Sequence, residues 1–225
     1  MEIVAKSIIN KDHLDAKVKD ETNKIEIQLL KDFFDDDNTV DKLFEETLKS
    51  DVVVYNVHAP LVDGEDFNLE YFSQPEAKKI FIKCCELSQR YANHYKRNIN
   101  IILHNGFNLN TYKNIPILLD EIVKIFEFII EKYPNINITF ENIIPFSLKD
   151  DFYTRNGFIT ENVSIAKYFN KVCSKPIFRT TLDTCHMLTT LKYLEIFKDE
   201  PKFTDRNINI EYFFEANKDT INNIH

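Results

Sequence analysis

Glycine is scarce in this sequence, with three in 225 residues. That is too few for a glycine-rich phosphate cradle, and neither G-x-G-x-x-G nor a P-loop pattern occurs. A nucleotide cofactor is therefore not expected. Linkers are missing too: no Pro/Gly/Ser-rich stretch divides the chain, and no repeat of solenoid length is visible. One domain spanning residues 1–225 is the expectation. The four cysteines, Cys84, Cys85, Cys173 and Cys185, show neither a disulfide framework nor C-x-x-C spacing. They read as reduced, mostly buried thiols. No apolar run is long enough to span a bilayer, and Met1–Lys6 has no signal-peptide core. A cytoplasmic protein with no membrane partner is expected. A basic surplus is also lacking: 28 Lys and Arg stand against 36 Asp and Glu, a net charge of -8. Proteins that bind nucleic acid mainly through phosphates show a basic stripe, so the charge counts weakly against DNA.

What the chain does have is a series of apolar strands that each run into a metal-type ligand. Val52–Val57 leads into His58-Ala59-Pro60, and Ile99–Leu103 into His104-Asn105-Gly106. Ile136–Phe140 leads into Glu141-Asn142, and Pro176–Leu182 into Asp183-Thr184-Cys185-His186, where a loop is expected to begin. Lys24–Leu29 alternates as a further strand, Glu2–Ile8 is an earlier candidate, and Thr220–His225 starts a seventh.

Between them lie helical patterns. Asp36–Lys49 is expected to pack Val40, Leu43, Phe44 and Leu48. Val62–Asp66 reads as a polar loop, and Ser73 as the N-cap of a helix burying Ala77, Ile80, Phe81, Cys84, Leu87 and Tyr91. Asn114 is expected to cap the next, with Leu119, Ile122, Val123, Phe126, Ile129 and Ile130 inward. Thr160 is expected to cap a helix turning Val163, Ala166, Phe169 and Val172 inward. Shorter helices follow at Leu188–Phe197 and Ile210–Asn217. His13 and His94 read as solvent-facing.

Strands alternating with helices predict a parallel sheet covered by helices. Parity sharpens this. His58 shares its strand face with Asn56 and Val54, His104 with Ile102 and Asn100, Glu141 with Thr139 and Asn137, and Asp183 with Thr181 and Arg179. The opposite faces are greasier and suit a helical layer. The four ligands would then point into the mouth of a (β/α) barrel, where such barrels keep their chemistry. Each residue taken alone is more often structural than functional. Four imidazole and carboxylate groups at successive strand ends instead suit Zn²⁺, Mn²⁺ or Fe²⁺, and buried carboxylates without a cation are costly to keep charged.

In order and spacing, His-Ala-Pro at residue 58, His-Asn-Gly at 104, Glu-Asn at 141 and Asp-Thr-Cys-His at 183 resemble the xylose isomerase-like TIM-barrel superfamily. That superfamily unites sugar isomerases and epimerases with endonuclease IV-type apurinic-site nucleases. The resemblance runs from about Lys24 to the end of the chain and implies a (β/α)8 barrel. It implies that Glu141, Asp183 and His225 hold the metal common to both branches, and that His58, His104 and His186 match holders of two further zinc ions in the nucleases. The family's final glutamate and the nuclease Asp-x-His pair are absent, and His104-Asn105-Gly106 replaces the usual His-Pro-Gly. The barrel is accordingly expected to lack its last strand–helix unit in this chain. An eighth strand further along a longer chain, or a second subunit in a homo-oligomer, would complete it.

Three functions follow as expectations. In the first, the chain is a sugar or sugar-phosphate isomerase or epimerase using Mn²⁺, Mg²⁺ or Zn²⁺. Glu141 is then its proton-transfer base, His58 and His104 bind substrate oxygens, Arg155 contacts a phosphate, and the loop Pro145–Phe158 closes over the sugar. In the second, it is a zinc phosphodiesterase acting on abasic-site DNA, with the full histidine set on metal. In the third, it is a non-catalytic barrel that binds a ligand or partner. The first carries most weight on sequence alone.

Overall fold

Short β-branched runs become strands and the longer 3.6-periodic stretches become helices, in regular alternation. The structure, a computed structural model, describes residues 4–20, 22–34, 36, 38–62, 65–104, 115–144, 159–196 and 209–224. In chain order the elements are β1 (Ala5–Ile8), α1 (Lys11–Lys19), β2 (Lys24–Leu30), α2 (Thr39–Thr47), β3 (Val53–Val62), β4 (Glu65–Asp66) and α3 (Pro75–Tyr95). Then come β5 (Ile99–His104), α4 (Ile115–Lys132), β6 (Ile136–Glu141), α5 (Ile159–Val172), β7 (Phe178–Leu182), α6 (Thr184–Ile196), α7 (Ile210–Asn217) and β8 (Ile221–Ile224). The expected α/β class is present, with seven strands running parallel in the order β1-β2-β3-β5-β6-β7-β8. An eighth strand–helix unit is not among the described residues.

The chain forms two compact units. The first comprises Met1–Phe67, Tyr71–Leu103 and Glu121–Ile138, and the second Asn68–Glu70, His104–Asp120 and Thr139–His225. In the first unit, β1, β2, β3, β5 and the opening half of β6 lie side by side. α3 packs on β3 through Ala77, Ile80, Phe81, Cys84, Leu87 and Tyr91, all buried as the periodicity requires. Phe67, Phe72, Phe81 and Phe126 form an aromatic cluster with neighbouring centroids 5.0–5.6 Å apart. Burying each such ring stabilises the fold by about 1.5–3 kcal/mol.

The inward polar face of this unit is a continuous row of side-chain hydrogen bonds. Asn56 Nδ2 donates to Glu26 (3.3 Å), Asn100 Nδ2 to Asn56 (2.9 Å) and Asn137 Nδ2 to Asn100 (3.0 Å). Glu26 is buried and meets Lys6 Nζ at 3.6 Å. Asn56 and Asn100 each serve as donor to one strand and acceptor from the next. The row therefore penalises any register slip, since a slip would leave buried amides unsatisfied.

In the second unit, the closing half of β6 lies beside β7, which pairs β8 in parallel with Thr181 opposite Asn223. Here the row is Asn223 Nδ2 to Thr181 Oγ1 (3.3 Å) and Thr181 Oγ1 to Thr139 Oγ1 (3.0 Å). On the other face α5 packs on β7, with Phe169 against Phe178 (5.4 Å) and Phe140 (6.0 Å). Asn170 pins the start of β7 by accepting from the Phe178 N–H (2.9 Å) and donating to its carbonyl (2.8 Å). α6 and α7 close over β7 through Met187, Phe213 and Leu182.

The structure corrects several expectations. The His58 strand does not end at His58. It continues to Val62 and turns back as β4, which pairs Val62 with Glu65, so the expected polar loop is a hairpin. Pro60, which has no N–H, falls where the β2–β3 ladder slips register between Gln28 and Leu30. The N-cap of α3 is Gln74, because Ser73 ends a preceding 3₁₀ turn. Leu118, not Leu119, belongs to the buried row of α4 with Ile122, Phe126 and Ile129, while Leu119, Val123 and Ile130 are only half-buried. Leu48 and Val172, at helix ends, are exposed. α5 begins at Ile159, ahead of Thr160, and Asn114 lies outside the described residues. His13 and His94 are exposed as expected.

Among the described residues no helix is long and apolar enough to cross a membrane. None of the four cysteines is in a disulfide. Burial pushes the Cys84 thiol up to about 12 and raises Cys85 as well, whereas Cys185 is exposed. Since only thiolates react, Cys185 is expected to label with a disulfide reagent in the native protein, and Cys84 and Cys85 only on unfolding. Labelling all four within the native dead time would contradict this packing.

Candidate metal centre

Four potential ligands gather in the second unit. His104 is the last residue of β5 and Glu141 the last of β6, and both are buried. Parallel strands covered on both faces bury whatever they carry, so ionisable groups at their ends are shielded from water on most sides. His104 Nε2 faces Glu141 Oε2 at 3.5 Å.

Asp183 follows β7 directly, and the loop expected there does not exist. Its Oδ1 accepts from the His186 N–H (2.6 Å) and its carbonyl from the Met187 N–H (3.0 Å). Asp183 is thus an N-cap, satisfying helical N–H groups that otherwise have no partner. The helix consequently starts four residues before the expected Leu188, and His186 stands on its first turn. An Asp ahead of a run holding Met187, Leu188 and Leu191 was the available cap signal.

Glu141, Asp183 and His186 each bring one donor atom into a group spanning no more than 4.8 Å. The remaining Asp183 oxygen, Oδ2, lies 3.7 Å from His186 Nδ1. Nδ1 itself is 2.9 Å from the Asn142 carbonyl. A carbonyl only accepts, so Nδ1 donates and Nε2 keeps its lone pair, the usual state of a ligating histidine.

The donor set fits a divalent cation. Two atoms bound at ~2.1 Å to one tetrahedral ion lie about 3.4 Å apart, close to the His104–Glu141 separation of 3.5 Å. Two buried or half-buried carboxylates beside two imidazoles also carry negative charge that a cation would neutralise.

His58 belongs to the first unit. It is buried on β3, two residues beyond Asn56, and its Nδ1 donates to the Ala59 carbonyl (3.1 Å), which again leaves Nε2 with the lone pair. His225, Arg155 and the Pro145–Phe158 loop lie outside the described residues. Sequence reasoning gave Asn142 no role beyond its place after Glu141. Yet it is fully buried and joins the ends of β6 and β7.

No protein-family model and no curated protein sequence matches the chain. Solved structures do. A xylose isomerase domain protein from Planctomyces limnophilus superposes with a TM-score of 0.61 at 11% identity, covering 99% of this chain and 72% of that one. D-psicose 3-epimerase with D-tagatose from Clostridium cellulolyticum H10 gives 0.59 at 12%, covering 100% and 72%. AP endonuclease, family 2, from Brucella melitensis gives 0.56 at 13%, covering 100% and 92%. The chain therefore shares the fold of these structures, in line with the resemblance that its strand-end residues carry. The likeness also takes in β1 and α1, ahead of Lys24, where the sequence resemblance began.

Proposed function

We propose that the chain is a divalent-metal-dependent enzyme whose chemistry is phosphodiester hydrolysis of the apurinic-site nuclease type. The observation that carries this is the position of Glu141, which faces His104 at 3.5 Å and also shares a 4.8 Å donor group with Asp183 and His186. A carboxylate that neighbours both His104 and the Asp183–His186 pair would suit a site holding more than one ion. Ions held there would supply a hydroxide-like nucleophile near neutral pH and stabilise charge on the leaving oxygen. Glu141 would be the ligand common to that site. Asp183 offers Oδ2 while its Oδ1 caps α6, and His104 and His186 offer Nε2. His58, His225 and, as a phosphate contact, Arg155 join this set on the sequence pattern. With a net charge of -8, bound ions rather than a basic surface would meet the substrate phosphate.

Sequence alone weighted sugar isomerisation more heavily. His186 shifts the balance, because it sits in the donor group and the isomerase reading leaves it outside the ligand set. Isomerisation or epimerisation stands as the second reading, supported by the burial of Glu141, which suits a proton-transfer base. There a single ion on Glu141 and Asp183 would be enough.

Metal content per chain, measured on protein purified without added metal and paired with two assays, decides between them. Two or more tightly held zinc ions and chelator-sensitive cleavage of an abasic-site duplex are expected. One exchangeable Mn²⁺ or Mg²⁺ with ketose epimerisation would establish the second reading. No bound metal and neither activity would leave a binding module and defeat both.

A further inference from the structure

Asn142 uses every polar group it has on one target, the junction of β7 and α6. Its backbone N–H donates to the Thr181 carbonyl (3.4 Å), continuing the β6–β7 pairing past the last residue of β6. Its side-chain Oδ1 accepts from the Asp183 N–H (2.8 Å), and its Nδ2 donates to the Asp183 carbonyl (3.0 Å). Its own carbonyl takes the proton of His186 Nδ1 (2.9 Å). The residue is 1% exposed, so none of these bonds has water as a ready substitute.

Both side-chain bonds go to the N–H and C=O of a single residue, the reciprocal exchange that backbones make in an antiparallel pair and that a parallel ladder does not provide. A carboxamide can make it alone, because it offers an acceptor oxygen and an N–H donor side by side. The side chain thus makes the link while the main chain is free to leave the sheet. Because both bonds go to the backbone of Asp183, its carboxylate remains free to cap α6 with one oxygen and present the other.

We infer that Asn142 is a positioning residue that sets the Asp183 carboxylate and the His186 tautomer for metal binding. Its metal consequence rests on the metal-enzyme reading above; its mechanical consequence does not. A side chain of this kind adds nothing to the charge of the site. It holds two ligands from one point, so its loss affects both together, whereas loss of either ligand affects one.

The test compares wild-type protein with Asn142→Ala, and with Thr139→Val, which removes the buried Thr181–Thr139 hydrogen bond between the same strands without touching Asp183. In metal-free protein, Asn142→Ala should raise amide exchange at Asp183 and His186 at least tenfold and mix the His186 tautomers in ¹⁵N spectra; Thr139→Val should do neither. With Co²⁺ as probe, Asn142→Ala should weaken binding by about tenfold to a hundredfold, the scale for groups that orient ligands. Thr139→Val should stay within about twofold. Should Asn142→Ala fail to fold, Asn142→Asp keeps an acceptor for the Asp183 N–H but turns an oxygen toward the Asp183 carbonyl and adds a buried charge. A shift in the same direction is then expected in the exchange and tautomer readouts. Unchanged exchange, tautomer and Co²⁺ affinity in a folded variant would overturn the inference. If wild-type protein binds no Co²⁺ while exchange and tautomer respond as stated, the positioning role stands and the metal-enzyme reading is what fails.

Discussion

Glu141→Gln is expected to empty the site while leaving the fold intact. The carboxylate is buried at the end of β6, lies 3.5 Å from His104 Nε2 and shares a donor group with Asp183 and His186. The amide keeps its size and removes its charge, so the ions of the proposed site lose their common ligand at once. Metal content should fall to background, and metal-dependent cleavage should drop by about a thousandfold or more, the upper range for losing one preorganised electrostatic group. Stability of the metal-free protein should hold or rise slightly, because a buried charge has been removed. Elemental analysis, a turnover assay and a thermal melt on the same preparation check all three. Wild-type metal content and turnover would remove Glu141 from the site.

His186→Ala separates the two enzymatic readings. The side chain is half-buried on the first turn of α6 and makes a hydrogen bond to the Asn142 carbonyl. Its loss takes the donor away from the buried Asn142 carbonyl and should cost the fold about 1–3 kcal/mol. If the chain is a hydrolase, the variant should lose one equivalent of metal and at least a hundredfold in abasic-site cleavage. If it is an isomerase, epimerisation should persist near the wild-type level, since the Glu141–Asp183 pair is untouched. Undiminished DNA cleavage with full metal content would remove His186 from the metal site.

Much of this architecture was legible because its signals are local. β5 and β6 are apolar runs bounded by polar residues, and both occur where the pattern placed them. α3 buries the six residues that its periodicity selects. α1 was missed because it buries only Leu14, so it has no stripe to read. Its marks are at its ends instead: the Asn10 side chain caps Asp12 and His13, and Lys17 and Lys19 sit in its last turn. The early start of α6 is hard to read in the sequence because Asp183 reads there as a ligand alone. It is cap and candidate ligand together, one oxygen for each role.

Sequence by itself determined the alternation of strand and helix, the fold class, and which ionisable residues stand at strand ends. These follow from side-chain period and strand parity, properties of adjacent residues. Only the tertiary structure decided that Glu141, Asp183 and His186 share a space 4.8 Å wide, that His186 turns its Nδ1 proton toward Asn142, and that Asn142 links the ends of β6 and β7. The same is true of the Glu26–Asn56–Asn100–Asn137 row, whose members lie 30, 44 and 37 residues apart along the chain. Their meeting depends on the register of parallel strands separated by whole helices. Such register is set by the packing of both sheet faces, so no short window of sequence contains it.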